Sequence, residues 1–227
     1  MKPLKVLELG SYVAPAYAGM ILAEQGHIVE KWTTKDPIHD LNQGQQLWDW
    51  INHNKNLKHI DAANISSIAP GSYDIIIDNT RQSTWQKRGI NPDALAQQLN
   101  VTWVSLQPDI GNRSFDVIAQ ARAWGDKGIL PFYIGDTAAG LWLAFKALSN
   151  PVGYHTIGHA TALAKLVEGE EVVTRPDGDY PYDTPDDYTW TGTHAQVRFK
   201  GETLSEPARD SQWRLANLPN TNGRFHV

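Results

Sequence analysis

The chain contains no cysteine. That excludes disulfides, thiolate metal sites and cysteine nucleophiles, and it points to a reducing compartment, the cytoplasm. Long apolar runs are missing as well. No stretch could span a bilayer, and the opening MKPLKVLELG lacks the apolar core of a signal peptide, so a cytoplasmic protein without membrane association is expected. Positive charge is in deficit: 20 Lys+Arg against 25 Asp+Glu leave a formal charge of −5, and no nucleic-acid partner is expected. Gly10, Gly19 and Gly26 do not have the G-x-G-x-x-G spacing that closes a backbone on a pyrophosphate. A G-x-S-x-G elbow is also absent, so a hydrolase triad has no motif behind it.

What is present suits a globular chain. Its 227 residues are 41% hydrophobic and 20% charged, enough for a sizeable core. Nine tryptophans are many for this length.

Over the first 150 residues two hydrophobic periods alternate. Lys5–Leu9, His27–Trp32, Asp74–Asp78 and Val101–Leu106 read as short apolar strands. Between the first two, Tyr17 to Ala23 recur at helical spacing until Gly26 stops them, and Pro92 opens a helix to Leu99. Strands separated by helices predict a Rossmann-like α/β fold: an open, mostly parallel sheet with helices on both faces. Phe115–Trp124, Asp136–Leu148 and Thr156–Val167 read as further helices. Residues 174–191 hold five aspartates, three prolines and three tyrosines without periodicity, an extended and solvated connection. Beyond it, Ala195–Phe199 and Glu202–Leu204 flank Lys200-Gly201, a weak hairpin signal, and the last twenty residues are polar. The expected organisation is one domain over 1–170 and an irregular C-terminal arm over 171–227, with Trp190, Trp213 and Phe225 of the arm needing a surface to pack on.

Several residues bear chemistry. Glu30 ends the second strand, where an acidic residue bonds ribose in dinucleotide folds, although the glycine spacing that should accompany it is wrong. His155 and His159, four apart on an expected helix, would share a face as a zinc pair does. No glutamate follows the first histidine and no third ligand is evident, so no metal site is expected. The tail aspartates do not match a calcium loop. Lys55, Lys58 and Arg81 are either solvated surface or phosphate ligands. Asp136 in YIGDTAAGLWLAFKAL precedes an amphipathic helix. It either caps that helix or, ionised at the positive helix end, serves as a nucleophile, with Gly135 and Gly140 leaving open space around it.

Taken together, these segments resemble the family III CoA-transferases, the CaiB/BaiF group. The group's V-L-[DE]-L strand, its A-G-P-[FY]-[AS]-like turn and its L-A-[DE]-x-G segment are matched by Val6-Leu7-Glu8-Leu9, Ala14-Pro15-Ala16-Tyr17-Ala18-Gly19 and Leu22-Ala23-Glu24-Gln25-Gly26. Asp36-Pro37, Asn52 to Asn56, Tyr73 to Arg81, Arg88 to Leu95 and Phe115 to Ala121 follow in the group's order, and its G-D-x-x-x-G is Gly135-Asp136-Thr137-Ala138-Ala139-Gly140. The resemblance implies transfer of CoA from an acyl-CoA to a small carboxylic acid, with coenzyme A or acyl-CoA as substrate and no metal. Asp136 would be the nucleophile, passing through a mixed anhydride and an aspartyl-CoA thioester. Lys55, Asn79 and Arg81 would contact CoA, Ala14 to Ala18 would line its pocket, and a homodimer is implied. Ser114-Phe115-Asp116 stands where the racemases of the group have G-H-D, which argues against racemisation by that histidine. Nothing after residue 170 resembles the group's second domain. A non-catalytic ligand-binding or assembly module, or less favourably a dinucleotide-binding oxidoreductase, are the alternatives.

Overall fold

In the computed structural model the described residues are 2–41, 44–109, 114–124, 133–167, 189–190, 194–199 and 202–207. Strands β1 (Lys5–Glu8), β2 (Ile28–Trp32), β3 (Asn56–Lys58), β4 (Ile75–Asp78), β5 (Thr102–Gln107) and β6 (Gly153–Gly158) form one sheet in the order β3-β2-β1-β4-β5-β6. Every pairing in it is parallel. The expected mostly parallel sheet is therefore wholly parallel, and its strand order is that of doubly wound nucleotide-binding folds, with the topological switch between β1 and β4.

Alternation along each strand sorts side chains onto two faces. On one, Val6, Ile75, Ile77, Val104 and Ile157 pack under α1 (Val13–Glu24) and α6 (Ile134–Ser149) through Ala14, Ala18, Leu22, Ala139, Leu143 and Ala147. On the other, Leu7, Ile76 and Trp103 meet Trp85 of α3 (Gln82–Lys87) and Leu95, Ala96 and Leu99 of α4 (Pro92–Leu99). Burial on both faces explains why β4 reads as an unbroken apolar run. Trp103 sits between Trp85 and Tyr154 in edge-to-face contacts, both with centroids 5.6 Å apart.

Local signals set the helix ends. Asn91 Oδ1 accepts the N–H groups of Asp93 and Ala94, Pro92 opens α4, and Asn100 closes it in the left-handed conformation. Helix α2 (Gly44–Ile51) and β3 are elements that the sequence pattern did not announce. The helix expected over Thr156–Val167 is instead β6 followed by α7 (His159–Val167). β6 lies at the edge of the sheet, where polar His155 and Thr156 are tolerated, so its sequence lacks the apolar run of the inner strands.

Strands β7 (Thr189–Trp190), β8 (His194–Phe199) and β9 (Glu202–Pro207) form a separate antiparallel sheet. Phe199 pairs with Glu202, so the expected hairpin is present and its second strand runs to Pro207 instead of Leu204. Most of the acidic stretch and the last twenty residues, with Trp213 and Phe225, lie outside the described residues. Among the described residues, no helix is long and apolar enough to cross a membrane.

Candidate active site

The carboxyl ends of β5 and β6 and the first turns of α5 (Asp116–Trp124), α6 and α7 converge on one group of side chains. Asp136 is the third residue of α6, not its cap. The helix starts at Ile134, and Asp116 Oδ1 accepts the Asp136 backbone N–H at 2.7 Å. A carboxylate from α5 thus satisfies a donor that the helix leaves open, and the Asp136 side chain is not used for capping. His159 Nε2 lies 3.0 Å from Asp136 Oδ1, with side-chain exposures of 3% and 14%, so the histidine is enclosed and the aspartate forms the open edge. The carboxylate sits off the ring N–H axis, which makes this contact an ion pair instead of a linear hydrogen bond. On the other side of the ring, Ser114 Oγ is 3.0 Å from Nδ1.

Burial and the neighbouring Asp136 charge push the Asp116 carboxyl up to about 7, against the opposing bonds from Gln120 Nε2 and the Asp136 N–H. His159 moves the other way from what burial alone would do. Burial favours the neutral ring, but contact with Asp136 and the fields of Asp136, Asp116 and Asp109 outweigh it and hold the imidazole above its ordinary value. Asp109, just past β5, also holds the start of α7 by accepting the Ala160 N–H at 2.6 Å and the Thr161 N–H at 3.0 Å. The ligand atoms of Asp116, Asp136 and His159 lie within 4.8 Å of one another, a spacing a cation could bridge.

Gly135 and Gly140 do not open space around Asp136, as the sequence suggested. A Cβ on Gly135 would stand 3.0 Å from Asp116 Oδ1, and one on Gly140 would stand 2.8 Å from the Ala14 carbonyl oxygen and 2.9 Å from the Tyr17 ring. Both glycines allow close approach, Gly135 of the Asp116 carboxylate and Gly140 of the α1 backbone.

A second polar group lies at the carboxyl ends of β1 and β2. Lys31 Nζ is 2.6 Å from Glu8 Oε1 and 3.1 Å from Asp36 Oδ2, and Lys55 Nζ is 2.8 Å from Glu8 Oε2. The Lys55 ammonium also donates to the Ala16 carbonyl at 2.7 Å and to Asn52 Oδ1 at 3.0 Å, which satisfies all three of its donors. Burial pulls Lys55 down to about 8, while Lys31, with two carboxylates beside it, is raised despite its burial. Asp36 Oδ1 accepts the backbone N–H of Tyr12 at 3.0 Å. Tyr12 holds φ 64° and ψ −152°, a region that disfavours a side chain, at the cap of α1, and its ring meets Phe115 edge-on at 6.4 Å. Across the switch point, the Asn79 amide bonds both backbone groups of Ser11, at 3.0 and 2.8 Å.

No protein-family model matches the sequence, and no curated protein matches it. Solved structures do. The hypothetical protein Rv3272 of Mycobacterium tuberculosis is similar, with TM-score 0.59 and 20% identity over 86% of this chain and 63% of that one. A CaiB/BaiF family protein from Brucella suis is similar, with TM-score 0.54 and 15% identity over 74% of this chain and 57% of that one. The chain has a CaiB/BaiF-like fold. It spans less than two thirds of the length of either structure.

Within that fold the residues implied by the resemblance are scattered. Asp136 is in the cluster of α5, α6 and α7; Lys55 is in the buried ion network; Asn79 braces the switch point; Arg81 is exposed ahead of α3. Ala14 and Ala18 are 2% and 0% exposed and pack in the core between α1 and the sheet. Lys55 and Arg81 do not form one basic patch, because Lys55 is internal. Glu30 accepts Trp32 Nε1 and the Tyr73 hydroxyl, both at 2.6 Å, and is engaged by protein. His155 and His159 do not share a helix: His155 is on β6 with Nε2 2.9 Å from the Pro151 carbonyl, and only His159 enters the site. Reasoning from sequence missed His159, Ser114 and Asp116 as a group. Asp116 lay in a motif that the resemblance covered, but no local pattern marks a histidine 23 residues beyond the aspartate it pairs with.

Proposed function

We propose that the chain handles acyl-CoA and transfers CoA to a small carboxylic acid through Asp136, as a cytoplasmic homodimer and without a metal. The supporting observation is the Asp136 carboxylate. It is partly exposed, relieved of capping by Asp116 and paired with His159, at the carboxyl end of the sheet in a CaiB/BaiF-like fold. Asp136 would attack the thioester carbonyl to give a mixed anhydride. CoA would then return to the aspartyl carbonyl and finally pass to the acceptor acid.

A second reading, a non-catalytic ligand-binding or assembly module, is favoured by Lys55 and Asn79, whose polar atoms are engaged within the protein. Calorimetry with acetyl-, succinyl- and oxalyl-CoA, followed by assays of thiol release, separates the two. Transfer is expected to vanish in Asp136→Asn while binding and melting temperature persist. Absence of heat, thermal shift and thiol release with every thioester would overturn the transferase reading. Light scattering on the full chain tests the dimer.

A further inference from the structure

We propose that His159 is the acid that protonates the departing thiol when Asp136 is acylated, and the base that takes that proton back when the thiol returns. This rests on Asp136 being the nucleophile. The geometry carries it in three parts. His159 Nε2 stands 3.0 Å from Asp136 Oδ1, while among the described residues Oδ2 accepts no hydrogen bond, so one oxygen is held and the other is left to attack. Ser114 Oγ, 3.0 Å from Nδ1, accepts from that nitrogen and fixes the ring, which makes Nε2 the nitrogen that exchanges its proton. The ring is enclosed by Asp136 from α6, Asp116 from α5 and Asp109 from the end of β5, carboxyl groups whose charges favour its protonated form.

Acylation removes one. The Oδ2 electron pair forms a bond to the thioester carbonyl carbon, the carbon–sulfur bond breaks, and its electron pair leaves on sulfur. The Nε2 proton goes to that sulfur. The products are a mixed anhydride on Asp136, a free thiol and neutral His159. Asp136 is now uncharged, so the field that held the proton on the ring has weakened at the moment the thiolate needs it. In the next step the thiol attacks the aspartyl carbonyl, neutral His159 takes the thiol proton, and the acyl group departs as a carboxylate. The histidine reaches the site from α7, whereas position 115, where the resemblance leads one to look for it, is phenylalanine.

The test uses the full chain, the three CoA thioesters above, single-turnover thiol release, and mass analysis of the peptide bearing Asp136. In His159→Gln the side chain keeps an N–H toward Asp136 but has no proton to give. Wild-type acylation is expected to fall in rate at alkaline pH as His159 loses its proton, and the variant is expected to be about 10²- to 10⁴-fold slower and to lack that fall. Asp116→Asn is expected to retain that alkaline limb, which assigns it to His159 and not to the neighbouring acid. Ser114→Ala, which frees the ring, is expected to slow acylation about tenfold and move the limb, and it carries the test if the glutamine variant does not fold. A His159→Gln enzyme of wild-type rate, or a slower one with the limb intact, or a Ser114→Ala profile identical to wild type, overturns the role of His159 while leaving Asp136 as nucleophile. A wild type that neither releases thiol nor carries an adduct on Asp136 overturns both.

Discussion

Asp116 Oδ1 accepts the backbone N–H of Asp136 at 2.7 Å, so the carboxyl that burial and the Asp136 charge raise to about 7 is also the one that holds the first turn of α6. This couples the site to pH. An aspartate at about 3.9 in the unfolded chain and about 7 in the fold binds more protons in the native state between those values. Its contribution to stability is therefore complete below about pH 4 and is lost as pH rises through 7, by on the order of a few kcal/mol. His159, also raised, acts in the same sense: its contribution is complete below its unfolded value and is lost as pH rises through its folded one. Asp116→Asn keeps an oxygen for the Asp136 N–H and removes the titration. We expect urea midpoints of this variant to be flatter than wild type between pH 5 and 8 and higher at pH 8. An unchanged slope would refute the assignment.

The buried ions at β1 and β2 make a prediction of opposite character. Lys55→Met leaves Glu8 Oε2, the Ala16 carbonyl and Asn52 Oδ1 without their donor in a place water does not reach. Removing one member of a buried ion network costs about 3–5 kcal/mol. A loss of that size in equilibrium unfolding, with CoA binding unaltered in whatever protein remains folded, would identify Lys55 as structural. A normal melting temperature with weakened CoA binding would identify it as a ligand residue.

The legible parts of the fold were those whose signal is local. β1, α1 and β2 follow from two apolar runs around a helical period closed by Gly26, and α4 from Asn91, Pro92 and Asn100. β6 was not legible, because an edge strand carrying Tyr154, His155 and Thr156 shows neither the apolar run of a buried strand nor clean alternation. Asp136 stood out through its glycine-flanked motif, although the helix begins two residues earlier than its pattern suggested. Its partners could not be found that way. The contacts of Asp116 and His159 with Asp136 are made by the packing of three helices, over separations of 20 and 23 residues.

Gly140 offers a test of packing that is independent of the chemistry. Its missing side chain lets α6 lie against Ala14 and Tyr17 of α1, where a methyl would fall 2.8 Å from backbone oxygen. Backbone cannot yield as the end of a flexible side chain can, so Gly140→Ala should cost about 1–3 kcal/mol. Because Asp136 lies one turn away on the same helix, acylation should slow as well. Calorimetric melting alongside thiol release would check both, and an alanine variant as stable as wild type would show that α1 and α6 do not meet this closely.

Asp78 gives the tryptophans their role in the core. Its carboxylate is wholly buried and accepts Trp85 Nε1 at 2.9 Å, Trp103 Nε1 at 3.2 Å and the Thr80 N–H at 3.1 Å. Burial raises its proton affinity despite these donors. Replacing it with alanine strands two indole N–H groups inside the sheet face, at about 1–3 kcal/mol for each unsatisfied group. Asparagine retains one acceptor oxygen and should cost less. The order of stability is expected to be wild type, then Asp78→Asn, then Asp78→Ala, and the emission of Trp85 and Trp103 should change only in proportion to the acceptor lost. If alanine were no worse than asparagine, the indoles would not depend on this carboxylate, and the apolar contacts around Trp103 would be sufficient to hold that face of the sheet.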